Sequence, residues 1–188
     1  MSDTTRKATY QDVLDAPEHL IAEIIRGELV INRHLPPLHA YAATCLGTLI
    51  GAPFHRGRDG PGGWWILRGP ELHFEDDVVV PNIAGWRRER MPAIPAVDYL
   101  ELAPDWVCEV LSPATEAVDR TDKLEIYGAA QVEWVWLLNP ILRTLEVFEN
   151  SGGKRVRERS FRGEITVRAQ PFDAVELALA DLWLPTPT

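Results

Sequence analysis

The sequence predicts an α+β fold of mixed α/β character, in which helices flank a mixed β-sheet that ends in an antiparallel meander. Three observations carry this. Trp106–Leu111 is a short apolar run of β-formers between Pro104 and Ser112-Pro113, which reads as a strand buried on both faces. A helical pattern then runs from an N-cap at Thr115 to about Ala130, and a second apolar strand follows at Glu133–Leu138. Such a crossover makes part of the sheet parallel. Finally, Thr144–Glu149, Arg155–Phe161 and Glu164–Arg168 alternate apolar and polar residues. They are joined by Ser151-Gly152-Gly153 and Arg162-Gly163, so they are expected to form the meander.

The earlier elements follow in order. Residues 8–16 carry a short helix pattern, with Thr9 as N-cap, Asp12 in the first turn and Pro17 as the stop. Two apolar alternations flank Arg26-Gly27, the pattern of a tight hairpin. After Pro36-Pro37, Ala42, Cys45, Leu46 and Leu49 recur at helical spacing over Leu38–Ile50, and the helix is expected to end before Gly51 and Pro53. Arg56–Gly63 is a glycine-rich loop. Trp64–Leu67 and Glu71–Phe74 are strand candidates, and Asp76-Asp77 reads as a turn. Val78–Trp86 reads as one strong strand, although Pro81 forbids a regular ladder bond within it. Arg87, Arg88 and Arg90 form a charged exit. Val175–Trp183 closes the chain as a short helix or an edge segment.

At 188 residues the chain is expected to form one domain, residues 1–188, with residues 1–8 as a flexible N-terminus. The net charge of −9 argues against whole-surface nucleic-acid binding, while leaving room for a local basic groove or for a metal that supplies positive charge. Cys45 and Cys108 lie on apolar segments without metal-ligand spacing, as buried thiols of a cytoplasmic protein do. No signal peptide is visible, and no apolar run is long enough to span a membrane.

The chemistry centres on Glu109, a carboxylate in the middle of an apolar strand. It costs several kcal/mol to desolvate unless a cation or donors meet it. Lys123 and Tyr127, four residues apart on the following helix, share one face. A site and a structural Glu109–Lys123 ion pair both account for this pattern.

Pro81-Asn82 at a strand end, Glu109-Val110-Leu111-Ser112-Pro113, and then Asp119, Lys123 and Tyr127 together resemble the restriction-endonuclease-like Uma-two family of the PD-(D/E)xK nuclease superfamily. Glu23 with Gly27-Glu28, and Pro37-Leu38-His39, match its N-terminal pattern. The resemblance spans roughly residues 9 to 183. It implies a restriction-endonuclease-like core and a metal-dependent endonuclease acting on nucleic acid, DNA ahead of RNA. It also implies Mg2+ or Mn2+ held by Glu109, the chief ligand, and Asn82, with Lys123 as the water-orienting base. A hard cation suits this chemistry, because it polarises phosphoryl oxygens and lowers the pKa of a water. The sequence departs from the pattern at Asn82, where the family has an aspartate. A neutral ligand weakens metal binding, so an altered site, a regulatory homologue and a deliberately inactivated form all stay open. So does a catalytically inactive nucleic-acid-binding or interaction module on the same fold. No nucleophile elbow or Ser–His–Asp pattern supports a hydrolase of another class.

The accessory residues each have a plainer role as well. Glu23 could be an exposed strand residue, His39 could cap or line the second helix, and Asp119 could be a first-turn acid favoured by the helix dipole. Tyr127 could be a core ring. Arg87, Arg88 and Arg90 could form a solvated face, and Asp76 and Asp77 could be turn residues. The meander strands could pair a second copy, giving a homodimer.

Overall fold

The computed structural model describes residues 6–33, 36–151 and 154–185. The chain enters on α1 (Tyr10–Leu14). Thr9 starts it: its N–H and its hydroxyl donate to the Asp12 carboxylate at 2.7 and 2.8 Å. Of the N-terminal segment expected to be flexible, residues 1–5 lie outside the described ones, and the Ala8 N–H donates to the Gly27 carbonyl at 2.8 Å. β1 (Ile21–Ile25) and β2 (Glu28–Asn32) form the expected hairpin. Its turn residues Arg26 and Gly27 have φ of 55° and 81°, the left-handed pair that a two-residue hairpin turn needs.

α2 (Pro37–Ile50) begins with proline in its first turn. It does not stop before Gly51. It runs on through a π-helical turn, Gly51–His55, in which the Arg56 N–H reaches the Gly51 carbonyl at 3.0 Å. A proline ring clashes with the carbonyl four residues back in a regular α-helix. The wider π turn carries Pro53 without ending the helix.

β3 (Trp64–Arg68), β4 (Leu72–Phe74), β5 (Asp77–Val79) and β6 (Ile83–Arg87) follow. The single strand expected over Val78–Trp86 is two strands in two sheets, broken at Val80-Pro81-Asn82 where proline offers no N–H to a ladder. The turn before it lies at Glu75-Asp76, with Glu75 at φ 53°, and Asp77 already belongs to β5.

β7 (Trp106–Val110) is buried throughout, and the crossover helix runs from α3 (Glu116–Val118) through a π segment (Asp119–Lys123) into α4 (Leu124–Ala129). Thr115 precedes it but makes no side-chain capping bond. β8 (Trp134–Asn139) then pairs in parallel with β7, as the crossover requires. β9 (Thr144–Ser151) and β10 (Lys154–Arg162) complete the main sheet; the Gly152-Gly153 link between them lies outside the described residues. The expected third meander strand leaves the sheet. β11 (Thr166–Val167) pairs instead with β12 (Leu177–Ala178), and this segment buries Phe172, Leu177 and Leu179 under the main sheet rather than extending its edge. The terminal segment therefore combines a short strand with a 3-10 turn, Leu179–Leu182.

The main sheet has the order β10-β9-β8-β7-β6-β3, and a smaller one the order β2-β1-β5-β4. Both faces of the main sheet are covered. Trp106, Cys108 and Val110 of β7 pack with α2 residues and Phe172, where Trp106 and Trp136 meet edge to face at 5.3 Å. Val107, Val135 and Leu137 pack on the opposite face with Ile126 and Tyr127 of α4. The period of two along a strand turns Glu109 to that second face, beneath the crossover helix.

Candidate functional site

Glu109 is 2% exposed, and its carboxylate is met from three directions. Lys123 Nζ lies 3.2 Å from Oε1, the Tyr127 hydroxyl donates to the same oxygen at 2.5 Å, and the backbone N–H of Asn82 stands 3.3 Å from Oε2. Lys123 and Tyr127 reach it because their spacing puts both on the face of the helix that packs on β7. Asn82 reaches it through register. Ile83 opposes Cys108 in the antiparallel β6–β7 ladder, so the residue before Ile83 falls beside Glu109. The Asn82 side chain is turned to β7, its Oδ1 accepting the Val110 N–H at 2.5 Å.

Lys123, only 5% exposed, is the hub. It lies 2.8 Å from Glu23 and 3.5 Å from Asp119 as well as contacting Glu109. Glu23 is therefore not an exposed strand residue, and Asp119 is not merely a first-turn acid: both are buried in the cluster. Glu23 also accepts the Val80 N–H at 2.8 Å, satisfying a backbone donor freed where the chain leaves β5. The π segment turns Asp119 and Lys123 inward together; such widened turns gather at functional sites.

The electrostatics follow from burial. Burial pushes the Glu109 carboxyl up to about 7, against the pull of Lys123, with Asp119 and Glu23 adding to the rise. Burial likewise raises Asp119. For Lys123 burial disfavours the charge, but Glu109, Glu23 and Asp119 outweigh it and hold the ammonium above its ordinary value. Lys123 is thus a fixed cation that can donate hydrogen bonds but cannot accept a proton. The Tyr127 hydroxyl is pushed well up by burial and by Glu109, so it remains a donor.

His39 does not join the cluster. It is buried on α2 near the Leu111 backbone; burial lowers its pKa, and that backbone opposes the lowering. Asp77 turns to the Arg26 N–H at 2.6 Å, and Asp76 is exposed. Arg87 and Arg90 pair with Asp105, and Arg87 also with Glu133. Among the described residues no three His, Cys, Asp or Glu side chains could by themselves hold a metal ion. Also among these residues, no helix is long and apolar enough to cross a membrane. Sequence reasoning missed the backbone donors of Val80 and Val110, for which Pro81 was the one available signal.

A central mixed sheet flanked by helices defines an α+β protein, and comparison with known proteins finds the same fold in a nuclease-like relative. Residues 8–180 match the family described as "Putative restriction endonuclease", and the chain belongs to this Uma2 (Uma-two) family. The crystal structure of a "putative nuclease" from Anabaena variabilis shares the fold, with a TM-score of 0.75 and 20% identity over 93% of this chain and 97% of that one. No curated protein matches the chain.

Proposed function

We propose that this chain is a metal-dependent endonuclease that hydrolyses phosphodiester bonds of nucleic acid, DNA ahead of RNA, and that Asn82 weakens it. The observation that carries this reading is the convergence of Asn82, Glu109 and Lys123, from three separate elements, at the end of β7. The donor set fits a hard divalent cation, Mg2+ or Mn2+. Three carboxylates share one ammonium, so the buried cluster is short of positive charge, a shortage that a divalent cation would relieve. Among the described residues Glu109 Oε2 has only the long contact to the Asn82 N–H, and Asn82 is half-buried rather than sealed. Glu109 and the Asn82 amide oxygen would hold the ion, with water completing its shell. When bound, such an ion supplies phosphoryl polarisation and an acidified water. Lys123 stabilises negative charge developing near Glu109 Oε1. Tyr127 fixes the orientation of that carboxylate, while Glu23 and Asp119 keep Lys123 charged and in place.

A catalytically inactive binding or regulatory module on the same fold is the second reading. It is favoured by the Asn82 Oδ1, which already accepts the Val110 N–H. Asn82→Asp separates the two. It restores an anionic ligand at almost constant shape, so added Mg2+ or Mn2+ should raise the melting temperature of the variant more than that of the parent. The variant should also nick plasmid DNA faster. Equal metal-induced shifts without nicking by either protein would leave the second reading in front. The free thiols of Cys45 and Cys108 support a cytoplasmic setting. The outer edge of β10 is where a second copy would pair to give a homodimer.

A further inference from the structure

Away from the Glu109 cluster the acidic chain carries a basic groove. Two hollows of about 290 and 360 Å³ share His55 and Arg56 along their walls. The first is also lined by Thr44 and Arg68, the second by Arg58 and Arg88. All four arginines are exposed, and among the described residues none of them meets a carboxylate. Their neighbours Arg87 and Arg90 behave differently, both being tied to acids. Asp59 lies in the same loop but lines neither hollow.

The groove is built rather than incidental. Arg88 stacks on Trp65 at 3.9 Å and donates to the His55 carbonyl at 2.8 Å. Arg68 donates to the Thr44 hydroxyl at 3.0 Å, which leaves most of its donors unused. His55 Nδ1 accepts the Ile66 N–H at 2.9 Å, so its proton sits on Nε2 as a further donor. The glycine-rich loop is pinned to the π turn by Gly62 N–H to Pro53 O at 2.8 Å and Arg58 N–H to Ala52 O at 2.9 Å.

We propose that this groove is a track for the phosphate backbone of DNA. The proposal rests on the nucleic-acid reading above and adds where the strand runs. The groove follows β3, whose five residues span about 13 Å at about 3.3 Å per residue, a length that holds about three successive phosphates of one strand. Its Arg68 end opposes Ile83 in the β3–β6 ladder, and the Gly69 N–H donates to the Asn82 carbonyl at 3.2 Å. The track therefore leads to the sheet end where Asn82 and Glu109 meet. Guanidinium groups without acidic partners, together with a neutral-histidine donor, are the chemistry that recognises phosphate oxygens.

The test is fluorescence anisotropy with a short fluorescein-labelled DNA duplex in EDTA, read over a range of salt. The proteins are the parent, Arg56→Gln/Arg58→Gln/Arg68→Gln, and Arg162→Gln on the opposite edge strand. Each phosphate contact contributes about 0.9 to the slope of log affinity against log salt. The triple variant should therefore flatten that slope by about 2 to 3, with an unchanged melting temperature, while Arg162→Gln should match the parent. Arg58→Glu alone, at an exposed position, repeats the test should the triple variant melt early. Parent-like slope and affinity in the arginine variants, or no binding by the parent at low salt, would overturn the groove. Plasmid nicking by Asn82→Asp in Mg2+ is scored separately. Nicking without groove-dependent binding removes the track and keeps the nuclease, whereas groove-dependent binding without nicking does the reverse.

Discussion

Lys123 meets three carboxylates, and removing either side of this arrangement has unequal effects. Lys123→Met strands Glu23, Glu109 and Asp119 as buried anions with no counter-charge, which should cost about 3–5 kcal/mol in urea unfolding. Glu109→Gln leaves Lys123 paired with Glu23 at 2.8 Å and Asp119 at 3.5 Å, so at neutral pH it should cost far less than Lys123→Met. It should nevertheless abolish any metal-induced stabilisation. Equal losses from the two substitutions would mean that Glu109 is simply the partner of Lys123. The sequence showed the Glu109–Lys123–Tyr127 part of this cluster, because a charge in an apolar strand needs a partner and helical spacing supplies two candidates. It did not show that Glu23 and Asp119 also join. Glu23 arrives from the other sheet, through a contact across 100 residues of chain, and Asp119 is turned inward by a π segment that no residue pattern announces.

At the level of elements, the buried strands and the hairpin turn were legible because each rests on local chemistry: apolar runs between prolines, and glycine at a left-handed turn position. The errors fell where tertiary packing decides. The strand at Val78–Trp86 splits because its two halves pack in different sheets, and the segment after Gly163 dives beneath the main sheet to bury Phe172. The π turn after α2 is the same kind of case, and two glycines test it. Gly51 sits at helical φ −65° with open space where a Cβ would stand, so Gly51→Ala should stabilise by about 0.4–1 kcal/mol. A Cβ on Gly60 would lie 2.3 Å from the Pro53 Cβ and 2.7 Å from its Cα, against backbone that cannot swing away. Gly60→Ala should therefore destabilise by about 1–3 kcal/mol, and because it displaces the loop that carries Arg58 it should also weaken DNA binding. A Gly60→Ala melt equal to that of the parent would mean the loop does not depend on the π turn.

For the whole molecule, the buried cluster makes stability depend on pH in a direction opposite to that of an ordinary salt-bridged acid. Glu109 holds its proton more tightly in the folded chain, at about 7, than its unfolded value of 4.5. Between those two values the folded state binds more protons than the unfolded one, so unfolding free energy falls as pH rises. The penalty is absent below about 4.5, grows through the interval and is complete above about 7, where it is on the order of 3 kcal/mol. Buried His39 works the other way. Its folded pKa lies below the unfolded value, so its contribution is present above about 6.5 and is lost as pH falls through the folded pKa. Asp119, raised by burial in the same cluster, adds to the parent curve with the same sign as Glu109. His39 is common to the parent and to Glu109→Gln, so it cancels in their comparison. In EDTA, the stability of Glu109→Gln relative to the parent should climb from pH 4.5 to pH 7 and then level off. Urea midpoints across that range measure it. A difference that is flat with pH would show that Glu109 is ionised throughout and that the Lys123 ammonium alone offsets its burial.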